Sequence, residues 1–200
     1  MAEPTPAAVS VYDSVPLPLG DSVYIRVIKI RPGAENAGIA CDFGILDVDN
    51  GSLYDLDTAL PSAGRSQYTA LSYMWGKTVA NRKIELNGTR FPVRKNLWDF
   101  LKQARTNGFR GYLWIDALCI DQAQVGERNH QVGLMGKIYS HARDVIVWLG
   151  HNHKQVESAM HAIARVLSLH DTSSLSWSLT VHCRGIGRLF GLGYWSRAWM

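Results

Sequence analysis

Between Tyr112 and Gly150 the chain passes from a short apolar run to a polar loop, an amphipathic stretch and a second apolar run, which predicts strand, loop, helix and strand in succession. Tyr112 to Ile120 is apolar apart from Asp116, too short to cross a membrane and long enough for a strand covered on both faces. The loop after it crowds Asp121, Gln122, Gln124, Glu127 and Arg128 together. From Glu127 onward, Val132, Met135, Ile138, Tyr139 and Ala142 recur at three- and four-residue intervals, which puts one apolar stripe on a helix. Val145 to Leu149 closes the unit as a second buried strand. A strand, a helix and a strand need a crossover, so the two strands are expected to be parallel neighbours in one sheet. Ligands favour the crevice at the carboxyl ends of such strands, which puts Asp116, Cys119, Asp121 and Gln122 near the expected site.

The pattern before this unit is of a different kind. Asp21 to Ile30 alternates Val23, Ile25 and Val27 against Tyr24, Arg26 and Ile28, and a second alternating run holds Ile39, Cys41, Phe43 and Ile45. The two predict an antiparallel hairpin, expected as an appendage to the core. Asp47 to Ser66 is rich in Asp, Gly and Ser and reads as a long loop. Tyr68 to Trp75 predicts a strand ending at Gly76, where a glycine permits a sharp turn or close approach of a ligand. Asn87-Gly88 between two short alternating runs predicts a tight hairpin over Lys83 to Val93. Asn96 is the expected N-cap of a helix carrying Leu97, Phe100, Leu101 and Ala104, with Asp99 in the capping-box position. After Gly150, Lys154 to Leu169 predicts another amphipathic helix, and residues 171–200 read as serine-rich and glycine-punctuated loop.

These elements divide the chain into a flexible arm over residues 1–19 and a single domain over 20–200. Within that domain, 20–66 is hairpin and loop, 67–150 an α/β core, and 151–200 a helix and loop. With 200 residues and 46% hydrophobic content the chain can bury one good core. Its net charge of +4 comes from scattered Lys and Arg with no long run, which argues against a dedicated nucleic-acid surface. Three widely spaced cysteines lack any CxxC pattern and fit neither a disulfide framework nor a zinc site. The first residues show no basic and apolar signal pattern, and no stretch is long and apolar enough for a membrane helix, so a cytoplasmic protein is expected.

Asp116 is the most telling single residue, because an ionised carboxylate within an apolar run is costly unless a cation or several donors meet it. It reads either as a strand-end aspartate capping a neighbouring loop or as part of a site. Glu127 and Arg128 are ordinary at a helix start, where an acid complements the helix dipole, and Gln131 lies one turn on. Gly133 and Gly136 suggest close packing against that helix. His151 and His153 have a spacing that can chelate a metal but read as exposed loop residues, and no metal site is expected.

The blocks YTALSYMWG, LWIDALCIDQ, ERNHQVGLMGKIYSHA, VIVWLG and YWSRAW, in this order, resemble the successive signature blocks of the fungal heterokaryon incompatibility (HET) domain. The resemblance runs from about Val23 to Trp199. It implies a module of nonself recognition that triggers growth arrest or programmed cell death when incompatible hyphae fuse. It also implies a distant relation to the Toll/interleukin-receptor (TIR) fold, so the expected fold class is α/β, a central mostly parallel, flavodoxin-like sheet with flanking helices plus the N-terminal hairpin.

Many TIR-type cell-death domains cleave NAD beside a carboxylate, a familiar way to stabilise an oxocarbenium-like centre. NAD is therefore the one small molecule the resemblance brings in, as substrate. By the motif blocks, Asp116, Glu127 and Asp121 are the catalytic candidates, and Tyr73, Trp75, Gly76, Gln122, Arg128 and Gln131 the ligand-binding ones. Trp114, Cys119, Met135, Tyr139, Trp148 and Arg197 complete the carried-over set, with core packing expected of Trp114, Met135, Tyr139 and Trp148. In the family the terminal block continues into a glutamine-glutamate pair aligned with the TIR catalytic region, and this sequence ends at Met200, before it. The implied partners are further copies of the chain or other HET and NLR-type proteins. The alternative is a non-enzymatic interaction domain that co-assembles with longer HET proteins.

Overall fold

The computed structural model describes residues 10–18, 22–34, 36–55, 68–76 and 79–150. A single 3-10 turn, Val11–Ser14, is capped by Ser10 and sets Val11, Tyr12 and Val15 into the core. This part of the expected flexible arm is docked, because three apolar side chains in five residues give it a face to bury. Strands β1 (Tyr24–Ile30) and β2 (Ala40–Asp47) pair antiparallel from Tyr24 opposite Asp47 to Ile30 opposite Cys41, the hairpin that alternation predicts. Strand β3 (Ser52–Asp55) adds to β2 inside the span expected as loop. Next come β4 (Tyr68–Tyr73), then β5 (Arg82–Leu86) and β6 (Thr89–Val93). The last two meet at Asn87 and Gly88, both with positive φ (50° and 77°), as a type I′ hairpin turn requires.

Helix α1 (Lys95–Thr106) follows and buries Leu97, Phe100, Leu101 and Ala104, the stripe expected from their spacing. Its cap is Arg94 without a side-chain hydrogen bond, and Asn96 lies inside the first turn. The chain continues through β7 (Tyr112–Trp114), α2 (Asp116–Cys119), α3 (Val125–Gly133), α4 (Met135–His141) and β8 (Asp144–Trp148). The run Tyr112 to Ile120 is thus a three-residue strand and a helical turn, with Asp116 opening the turn. The amphipathic stretch after it is two helices parted at Leu134. A Cβ placed on Gly133 or Gly136 would touch nothing within 4 Å, so neither glycine marks a close approach. The expected helix over 154–169, the loops after it, His151, His153 and Arg197 lie outside the described residues.

The eight strands of the described residues join one mixed sheet in the order β6-β5-β2-β1-β7-β4-β8, with β3 on β2. Four of the seven pairings are antiparallel, so the sheet is not mostly parallel. The N-terminal hairpin is no appendage: β1 pairs antiparallel with β7 and carries the sheet across. Its Ile25, Arg26, Val27 and Ile28 are all buried, so both faces are covered and an edge position would strand them in water. Strands β7 and β8 are parallel, as the crossover requires, but are not neighbours, since β4 lies between them and pairs parallel with both. The buried run Tyr68 to Leu71 explains this placement. Trp114 is fully buried with its ring edge-on to Tyr139, and Met135, Tyr139 and Trp148 pack on the core.

Candidate functional site

The parallel trio β7-β4-β8 points its carboxyl ends to one side, where three separated sequence segments meet. Beyond β4 come Met74, Trp75 and Gly76; beyond β7 comes Asp116; beyond β8 the chain reaches Gly150. The Trp75 indole Nε1 donates to both carboxylate oxygens of Asp116, at 3.1 and 3.0 Å. The Ala117 amide donates to Asp116 Oδ1 at 2.8 Å, and the Gln122 side chain donates to the Asp116 carbonyl at 3.0 Å. Asp116 is 7% exposed, and these donors replace the water it has lost.

Two residues of α1's amino end complete the crevice. The Arg94 guanidinium lies 5.4 Å from the Trp75 ring centre and donates to the Gly76 carbonyl at 2.7 Å. Asn96 donates to the Met74 carbonyl at 2.6 Å and accepts from Trp148 Nε1 at 2.9 Å, bridging the ends of β4 and β8. This bridge explains why Asn96 does not cap the helix: its amide is committed across the crevice. Gly76 sits at φ +79°, where a side chain would be strained, with open space at its Cβ position. Tyr73, placed with the ligand-binding candidates by its motif, is 2% exposed and lies in the sheet.

A second polar network lies at the start of α3. Arg26, 2% exposed in the middle of β1, grips Glu127 through both guanidinium ends: Nη1 to Oε1 at 2.5 Å and Nη2 to Oε2 at 3.1 Å. Glu127 Oε1 also accepts from the Asp121 amide at 2.8 Å. Arg26 further donates to the Val15 carbonyl at 2.7 Å and the Cys119 carbonyl at 3.3 Å, and its guanidinium lies 4.9 Å from the Tyr12 ring centre. One side chain therefore ties together the docked arm, the sheet, α2 and α3.

Asp121 Oδ1 accepts from the Ala123 and Gln124 amides at 3.0 and 3.4 Å, a side-chain-closed turn, while the Gln124 side chain caps α3 at the Glu127 amide. Arg128 donates to the Gln122 carbonyl at 3.2 Å, and Gln131, 2% exposed, donates to the Tyr24 carbonyl at 3.0 Å. Tyr12, Tyr24, Arg26, Asp121, Glu127 and Gln131 line a cleft of about 640 Å³.

The structure thus divides the candidates. Trp75, Gly76, Asp116 and Gln122 belong to the strand-end crevice, and Glu127, Asp121 and Gln131 to the cleft. Arg128 braces the loop between them. The carboxylates of Asp116, Glu127 and Asp121 are each held by protein donors. Burial pushes the Cys119 thiol up to about 12, so it stays protonated and is no nucleophile. Burial likewise raises the Tyr12 hydroxyl, with the neighbouring Cys119, Asp121 and Glu127 adding to the effect. Among the described residues, no group of three His, Cys, Asp or Glu side chains is placed to hold a metal ion, and no helix is long and apolar enough to cross a membrane.

Arg26, Tyr12, Arg94 and Asn96 escaped the sequence reading as site residues. Only Arg26 carried a signal, a cation set directly between Ile25 and Val27 in the strand YIRVIKI.

Comparison with known proteins adds two likenesses. The profile of the family described as "Heterokaryon incompatibility protein (HET)" matches residues 68–200. "Heterokaryon incompatibility protein 6, OR allele" of Neurospora crassa is 33% identical over 168 residues, which cover 78% of this chain and 23% of that protein. The chain therefore spans about a quarter of the length of this curated relative. No solved structure matches.

Proposed function

The chain belongs to the heterokaryon incompatibility (HET) domain family, and from that premise we propose that it converts nonself recognition between fungal hyphae into growth arrest and programmed cell death, acting in the cytoplasm through association with further copies or other HET and NLR-type proteins. The observation that carries this reading is the convergence of Trp75 from one motif block with Asp116 and Gln122 from another on one hydrogen-bonded crevice. A network that fixes three strand ends and α1 against one another makes a rigid surface, and rigidity lowers the entropic cost of assembly. The bidentate grip of Arg26 on Glu127 supports association over catalysis, because that carboxylate is spent on holding the fold.

Expression of the chain in fungal cells should arrest growth. Asp116→Ala, which empties the crevice of its central acceptor, should abolish the arrest while soluble protein accumulates to the same level. Undiminished killing by that variant would remove the crevice from the function.

A second reading, NAD cleavage, is favoured by the place of Asp116 beside an indole at the carboxyl ends of parallel strands, where the TIR-like relation would put a substrate. On that reading, the anionic Asp116 stabilises positive charge developing on the sugar as the nicotinamide bond breaks. Nicotinamide release abolished by Asp116→Asn would establish it.

A further inference from the structure

The cleft between the arm, β1 and α3 asks for hydrogen-bond donors. Gln131 is 2% exposed and its Nε2 is used on the Tyr24 carbonyl, while among the described residues nothing donates to its Oε1. The same cleft is lined by Asp13 and Asp121, with Arg26 and Glu127 cancelling one another. Gln131 Oε1 at the cleft wall, and two carboxylates without an ion-pair partner among the described residues, fit one chemical class, a guanidinium or alkylammonium group, which brings both N–H donors and positive charge.

Such groups are concentrated elsewhere on the same chain. Residues 82–105 hold seven Lys and Arg against two acids, an excess larger than the whole chain's net +4. On the outer side of α1, Arg82 and Lys102 flank the half-buried Trp98 ring at 5.3 and 5.7 Å from its centre. Among the described residues neither cation is paired with a carboxylate. A tryptophan between two cations is the kind of ridge that dominates interface energetics.

We propose that the Arg82–Trp98–Lys102 ridge of one copy docks into the Gln131 cleft of a second copy, a basic side chain donating to Gln131 Oε1 and the cleft carboxylates. This rests on the association reading above and names its partner surface. Ridge and cleft are different surfaces, so the contact is head-to-tail and adds copies in succession instead of closing as a two-fold dimer. Being charge-driven, it weakens with salt.

Sedimentation velocity on the full chain tests it. The wild type should grow in mass with concentration beyond a dimer, and 0.5 M salt should reduce that growth. Arg82→Gln/Lys102→Gln disarms the ridge, and Asp13→Asn/Asp121→Asn neutralises the cleft while keeping an oxygen for each cap. Each double variant alone should be monomeric with an unchanged melt. Mixed one to one, they should form a dimer that grows no further, since one retains only the cleft and the other only the ridge. Self-association that ignores both double variants would overturn this contact and leave the association reading standing. A wild type that is monomeric at every concentration would overturn this contact together with self-association, the part of that reading on which it rests.

Discussion

A guanidinium that is 2% exposed inside a β-strand is tolerable only because every face of it is answered: by Glu127 twice, by the carbonyls of Val15 and Cys119, and by the Tyr12 ring. Cutting one side of such a pair strands a buried charge, so Glu127→Ala should cost about 3–5 kcal/mol. Denaturant unfolding reads this directly. A loss under about 1 kcal/mol would mean that water reaches Arg26. The thiols give a second residue-scale prediction. Cys41 and Cys119 are buried and their thiols are both raised to about 12 from the ordinary 9. In a Cys183→Ser background neither should react with a thiol reagent at pH 8 until urea unfolds the chain. The stability this gives is complete below pH 9 and is lost as pH rises toward 12, because only the unfolded chain sheds those protons there. Each thiol contributes a decline of about 1.4 kcal/mol per pH unit. At this scale the sequence announced Asp116, whose donors were the capping amide and the indole of a distant block, but concealed Arg94 and Asn96. Both donate to backbone carbonyls, and no spacing rule marks which carbonyl a side chain will reach.

Among the elements, the legible ones are those whose signal is local. The hairpin at Asn87-Gly88 follows from two positive-φ residues, and the buried stripe of α1 from its spacing. The strand reading of Tyr112 to Ile120 failed because a short apolar run does not distinguish a buried strand from a buried helical turn, and the chain uses both in succession. The single helix expected after Glu127 broke at Leu134, between two glycines that lower helix propensity on either side. Gly136 is helical with open space around it, so Gly136→Ala should stabilise the protein by about 1 kcal/mol, raising the urea midpoint. Destabilisation instead would show that something packs on that side of α4.

For the molecule as a whole, the α/β class was legible and the strand order was not. Insertion of β4 between β7 and β8, and the joining of the hairpin to the parallel trio through β1 and β7, are settled by which strands must be covered on both faces. That is a competition among distant segments that periodicity within one segment does not record. The same assembly puts Asp116 at the strand-end crevice against Trp75 and ties Glu127 to Arg26 of β1. The central claim, that this HET chain works by association with its carboxylates spent on structure, is tested most directly by incubating the purified, cooperatively melting chain with NAD and following free nicotinamide. The expected result is no release above that of Asp116→Asn. Release by the wild type that disappears in Asp116→Asn would contradict it and make the crevice an active site.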